Sequence, residues 1–225
     1  VGSLAQYIRL HVQRDCDELF ICNLDYGKNK SFYTKRDLSI ITSNSNIPIT
    51  LSGGIDSLEK AEFLISNGAD RICLCSSLYS ESKELLKQAI RNLGRQSVVV
   101  EIPYILHPSK NIHYVWDWKF EKPLKPLESY LNDVLNFSPG ELILTSVDQD
   151  GSMEGLDDSF DFNSIPDQLP VIFRGGAGSI EHFISAFKKQ NLSAIASSSI
   201  YSFSEITPNI VRQECLDAGI AMRLV

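Results

Sequence analysis

Two segments of this chain spell the same pattern, and few folds accommodate that. Pro48-Ile49-Thr50-Leu51-Ser52-Gly53-Gly54-Ile55 leads on to Ser76-Ser77-Leu78-Tyr79-Ser80. Starting 122 positions later, Pro170-Val171-Ile172-Phe173-Arg174-Gly175-Gly176-Ala177 leads on to Ser198-Ser199-Ile200-Tyr201-Ser202. Each copy reads as strand, Gly-Gly turn, helix, strand and small-residue turn. Such βα units build parallel sheets, and a two-fold repeat of them is the expected form of a (β/α)8 TIM barrel, with one candidate phosphate cradle in each half.

The rest of the chain follows the same rhythm. Short apolar runs predict strands at 18–23, 47–51, 71–75, 97–102, 141–147, 171–173 and 194–197. Amphipathic stretches between them predict helices at 4–13, 38–42, 57–67, 82–92, 126–136, 180–189 and 208–218, with Ser57, Ser82 and Ser179 placed as N-caps. The alternation from His113 to Phe120 predicts an inserted β-ribbon. Seven strands leave a barrel one short. The half-repeat spacing puts the eighth about 44 residues before Glu18, upstream of Val1, so the first strand is expected to be missing from the chain as given. No linker or low-complexity segment interrupts the pattern, which predicts a single domain over 1–225 with half-barrels of about 1–95 and 96–225.

Composition narrows the function classes. A formal charge of −7 and a pI near 5.1 argue against nucleic-acid and anionic-membrane partners. No apolar run approaches the roughly 20 residues that span a bilayer, and no signal peptide is visible, which points to the cytoplasm. Five cysteines, an odd number lying mostly in apolar runs, suit reduced thiols packed in a core. Cys73 and Cys75 have no His or second Cys pair near them in sequence, so no metal site is expected, and no cofactor either.

Glycine lets the backbone approach a ligand closely, and free amides at a helix start favour phosphate. Gly-Gly also serves plain tight turns, but matched pairs at two strand ends, each accompanied by a Ser-Ser turn, point to a ligand with a phosphate at each end.

With these turns the sequence resembles the histidine-biosynthesis barrel family, and in particular its cyclase subunits of imidazole glycerol phosphate synthase. Ser52-Gly53-Gly54-Ile55, Gly68-Ala69-Asp70-Arg71, Leu144-Thr145-Ser146-Val147-Asp148-Gln149-Asp150-Gly151 and Arg174-Gly175-Gly176-Ala177-Gly178 carry the resemblance. It implies a heterodimer with a glutaminase subunit, whose ammonia enters the barrel floor and is added to a bisphosphorylated ribulosyl aminoimidazole carboxamide. By motif, Gly54 and Ser76 would hold one phosphate, and Gly151, Gly176, Ser198 and Ser199 the other. Asp148 and Asp150 would stand near the substrate and, with Glu101, are the candidate catalytic groups. Glu18, Arg71 and Glu141 would belong to the charged floor through which ammonia passes, unless they are simple surface or ion-pair residues.

The departures carry as much weight. The family's chemistry rests on carboxylates at the ends of the first and fifth strands. The first lies outside this chain, and Pro103 holds the place of the second, with Glu101 as a substitute one layer deeper on the same face. Asn23, Cys75, Arg174 and Ser202 replace an Asp, an Asn, a Ser and a His of the family. Arg174 would bind an anion, or pair with Asp148 or Asp150. Three readings follow. The chain is a divergent paralogue that uses ammonia to amidinate a surface sugar, an authentic cyclase subunit, or a non-catalytic phosphate-binding scaffold. The first fits the departures best.

Overall fold

The computed structural model describes residues 3–80, 82–160, 165–189 and 192–223. The described residues fall into two compact units, one up to Val99 and one from Val100 onward.

In the first unit, helix α1 (Leu4–Gln13) precedes strand β1 (Leu19–Cys22), and the short α2 (Asp25–Asn29) and α3 (Lys35–Ser43) lead to β2 (Ile49–Ser52). Then come α4 (Leu58–Ser66), β3 (Arg71–Leu74), a 3-10 turn at Ser76–Leu78 and α5 (Glu84–Leu93). β1 pairs in parallel with β2 (Leu19 with Ile49 through Cys22 with Ser52), and β2 with β3. All four residues of β2 are buried, as in a parallel strand covered on both faces. Helix starts follow local chemistry. Ser57 caps α4 by accepting from the Lys60 amide, and Thr34 with Asp37 forms a full capping box on α3.

The second unit begins within β4 (Val98–Leu106). The antiparallel ribbon β5 (His113–Asp117) and β6 (Lys122–Pro126) follows, then α6 (Leu127–Leu135), β7 (Glu141–Ser146), β8 (Val171–Arg174), α7 (Ile180–Lys189), β9 (Ala194–Ala196), α8 (Ser199–Phe203) and α9 (Pro208–Asp217). β7, β8 and β9 pair in parallel, with Thr145 level with Arg174. Ala177, Phe183, Ile200, Val211 and Cys215 form a buried cluster. Parallel strands joined through helices in both units give the (β/α)8 class expected from the repeat.

Three local expectations are corrected. Ser82 does not cap α5: Lys83 occupies that place with φ +42° and makes no side-chain cap, and the helix starts at Glu84. α3 begins three residues before the first periodic apolar residue, Leu38, because the capping box recruits the polar turn ahead of it. The cysteines are not uniformly core residues, since Cys73 and Cys215 are buried but Cys22 is exposed.

Candidate active site

The strand-end turns show why glycine stands where it does. A β-carbon on Gly53 (φ +93°) would lie 2.3 Å from the Asn23 carbonyl oxygen, and one on Gly175 (φ +111°) 2.6 Å from that of Ser146. In each copy of the repeat, the first glycine is pressed against the backbone that ends the preceding strand. The second glycines are covered too. A β-carbon on Gly54 would meet the Tyr26 ring at 2.4 Å, and one on Gly176 would lie 1.8 Å from the Gly155 carbonyl oxygen. The Gly155 amide donates to Gly176 O at 2.9 Å. Positive φ together with close packing, on backbone at Gly53, Gly175 and Gly176 and on the Tyr26 ring at Gly54, therefore accounts for these four glycines without a ligand. Gly151 differs, with φ +81° and nothing within 4 Å of the place a β-carbon would take. Ser76 opens the 3-10 turn Ser76–Leu78, and Ser198 precedes α8, which begins at Ser199.

Over Gly54, the first unit adds a cluster that sequence reading missed. The Tyr26 hydroxyl donates to Asp56, and Lys60 Nζ donates to Tyr26 Oη at 2.9 Å and to Asp56 Oδ1 at 2.7 Å. Lys60 also lies over the Tyr26 ring, 4.5 Å from its centroid. Burial works to raise the Asp56 carboxyl, but the Lys60 and Tyr26 hydrogen bonds outweigh it and hold it below its ordinary value. Of the three floor residues, the structure joins Glu18 and Arg71 in a two-pronged bridge of 2.8 and 3.0 Å, while Glu141 opens β7 in the second unit. Both bridge partners are partly exposed, so Glu18→Gln is expected to cost only about 0.5–1 kcal/mol in urea unfolding.

The second unit brings Glu101 and Asp150 together through Arg174. Glu101 lies on β4, 5 % exposed, and accepts from Thr145 Oγ1 at 2.8 Å and from Arg174 Nη1 at 2.9 Å. Arg174 Nη2 donates to Asp150 Oδ2 at 3.3 Å. Of the two aspartates offered for pairing with Arg174, Asp150 makes the contact. Asp148 instead accepts from the Leu106 amide at 3.1 Å, tying its loop to the end of β4. Pro103 is buried within β4, and Pro has neither a side-chain acid nor an amide proton to give.

A second cluster, also unforeseen, fastens the loop after β7 to the ribbon. Asp157 accepts from the Ser159 amide at 2.9 Å and from its hydroxyl at 2.5 Å, and His113 Nε2 lies 3.0 Å from Ser159 Oγ and 3.6 Å from Asp157 Oδ2. The Phe160 ring packs against both Tyr104 and His113. Burial would raise the Asp157 carboxyl, but hydrogen bonds from His113 and Ser159 dominate and hold it far below the ordinary range. Burial first, and the Asp157 charge second, push the Tyr104 phenol well up, so it stays neutral. A carboxyl depressed in the folded state contributes stability that is complete above its unfolded value and lost as pH falls below it. Asp157→Asn is therefore expected to cost about 1–3 kcal/mol in urea unfolding at about pH 7, with the gap to the native protein closing as pH drops below about 4. A gap that widens on acidification would contradict this.

Among the described residues, no group of three or more His, Cys, Asp or Glu stands close enough to hold a metal, and no helix is long and apolar enough to cross a membrane.

Comparison with known proteins agrees with this architecture. The chain is 31 % identical over 224 residues to the imidazole glycerol phosphate synthase subunit HisF of Chlorobium luteolum, covering 99 % of this chain and 88 % of the relative. The HisF subunits of Flavobacterium johnsoniae (28 % over 228 residues, 99 % and 88 %) and Blochmanniella pennsylvanica (27 % over 230 residues, 100 % and 89 %) match along similar lengths. The profile described as "Histidine biosynthesis protein" matches residues 1–206. With parallel βα units in both units and a match spanning nearly the whole sequence, the chain belongs to the histidine biosynthesis protein family.

Proposed function

We propose that this chain is a HisF-like synthase subunit that holds a small phosphorylated substrate at its strand-end turns and adds ammonia supplied by a glutaminase subunit. The near-full-length similarity to subunits of imidazole glycerol phosphate synthase supports the reaction type and the partner. Gly54 with Ser76, and Gly151 and Gly176 with Ser198 and Ser199, are the proposed phosphate ligands, and Glu18, Arg71 and Glu141 the residues at which ammonia enters. A cytoplasmic location goes with this reading.

The acceptor is the finer question, and the Glu101–Arg174–Asp150 bridge supports one reading of it. Closing an imidazole ring needs protons both given and taken, which calls for two carboxyl groups of opposite role. Here Pro103 supplies none, and the buried Glu101 carboxylate is occupied by the Thr145 hydroxyl and the Arg174 guanidinium, both of which donate to it. Glu101 therefore serves to hold Arg174. Asp150, a third exposed and on a loop, is the remaining proton acceptor of this bridge. One proton acceptor suffices when the carbon already carries a leaving group: ammonia forms the N–C bond to an O-phosphorylated imidate as the C=N π pair moves onto nitrogen, that pair re-forms the double bond as the C–O bond breaks and phosphate leaves with its electrons, and Asp150 takes the spare proton of the added nitrogen. This favours a divergent paralogue, acting on a surface sugar, over a histidine-pathway cyclase. The authentic cyclase reading has the 31 % identity in its favour.

The test gives the purified chain the bisphosphate intermediate with an ammonium salt and follows loss of the intermediate's ultraviolet absorbance. Binding without turnover is expected. Turnover would establish the cyclase reading, and failure to bind would remove the phosphate assignment altogether.

A further inference from the structure

Arg174 ends β8 and leads directly into the Gly175-Gly176 turn, beside the second candidate phosphate site. Its two arms are held unequally. Nη1 meets a buried carboxylate at 2.9 Å, and that carboxylate is fixed in turn by the fully buried Thr145 hydroxyl. Nη2 meets Asp150 at 3.3 Å, longer than the roughly 2.7–2.9 Å of a well-formed charge-assisted bond, and the Asp150 side chain is 36 % exposed on a loop. The first contact anchors the guanidinium. The second can be exchanged at little cost, because water already reaches it.

We infer that Arg174 reads a carboxylate on the substrate, which takes the place of Asp150 at Nη2 while Glu101 keeps the guanidinium fixed. The charge balance selects the ligand class. Glu101 neutralises Arg174, and Asp150 leaves the group of three with one net negative charge. A monoanionic carboxylate replaces Asp150 one for one, whereas a phosphate dianion would add a further negative charge beside Glu101. The planar guanidinium also matches a planar carboxylate. Once displaced, Asp150 is freed as a proton acceptor only when substrate is present. The substrate class is thus a small phosphorylated acid, with its phosphate at the glycine turn and its carboxylate at Arg174. The phosphate half rests on the proposed function, and the carboxylate half on Arg174 alone.

Titration calorimetry on the full chain with three probes separates the two halves. Glycerol 3-phosphate offers a phosphate only, glycerate a carboxylate only, and 3-phosphoglycerate both. In the native protein, 3-phosphoglycerate should bind about tenfold more tightly than glycerol 3-phosphate, the size of one charged contact. Arg174→Gln should remove that preference and leave glycerol 3-phosphate affinity unchanged, with Arg174→Lys intermediate and circular dichroism confirming the fold. Asp150→Asn, a loop change that removes the internal competitor, should instead tighten 3-phosphoglycerate binding by about threefold. Equal affinity for the two phosphates, or a preference that survives Arg174→Gln, would overturn the assignment while leaving the phosphate reading intact. Glycerate binding that is lost in Arg174→Gln, with glycerol 3-phosphate never bound, would uphold Arg174 and sink the phosphate reading. Failure of all three probes would end both.

Discussion

Gly176→Ala is expected to destabilise the protein by about 3–5 kcal/mol, lowering its thermal midpoint by roughly 10 °C for a chain of this size. Two causes act together. The backbone sits at φ +89°, where a side chain is strained, and the new β-carbon would fall 1.8 Å from the Gly155 carbonyl oxygen. The obstacle is backbone, so no rotamer change relieves it. Moving it apart also breaks the hydrogen bond from the Gly155 amide to Gly176 O. Gly151→Ala is the matched control, because its φ is +81° but no atom lies within 4 Å of the added carbon. It should cost only about 1 kcal/mol. Equal melting losses for the two variants would show that close approach is not what fixes Gly176.

Arg174→Leu should cost about 3–5 kcal/mol, chiefly because it strands the Glu101 carboxylate in a buried place with only the Thr145 hydroxyl of its two bonds left. Adding Glu101→Leu to that variant should restore about 2–3 kcal/mol, since removing both charges abolishes the penalty. Urea unfolding of the native protein, both single variants and the double variant gives the coupling directly. Additive losses would mean that the two side chains do not interact in solution, and the reader role of Arg174 would lose its anchor.

The repeat makes the architecture legible from the residues alone. α1 and α7 fall on the predicted bounds, because their apolar periodicity and the polar residues around them change sharply at both ends. α2 and α8, five residues each, carry too few turns to show a period and are invisible to such a reading. The capping box at Thr34 and Asp37 is readable as a motif, yet the periodicity beginning at Leu38 hides it. The candidate site divides the same way. Glycine turns announce themselves locally, and both glycine pairs do sit at strand ends. The Glu101–Arg174 pair does not announce itself, because its partners are 73 positions apart and meet only when β4, β7 and β8 bring Glu101, Thr145 and Arg174 to one place. The cluster of His113, Asp157 and Ser159 is hidden for the same reason, each residue looking like ordinary loop or ribbon polarity on its own.

The pressing of Gly53 on Asn23 and of Gly175 on Ser146 has a consequence for how such a sequence can change over time. At these turns the constraint is felt by backbone atoms, so it rejects every side chain at the glycine but is indifferent to which residue supplies the opposing carbonyl. Neighbours such as Asn23 and Ser146 can change side chain without moving the carbonyl on which the glycine rests. A chain built this way can exchange its reactive groups while its scaffold stays fixed, and new activities become reachable by few substitutions.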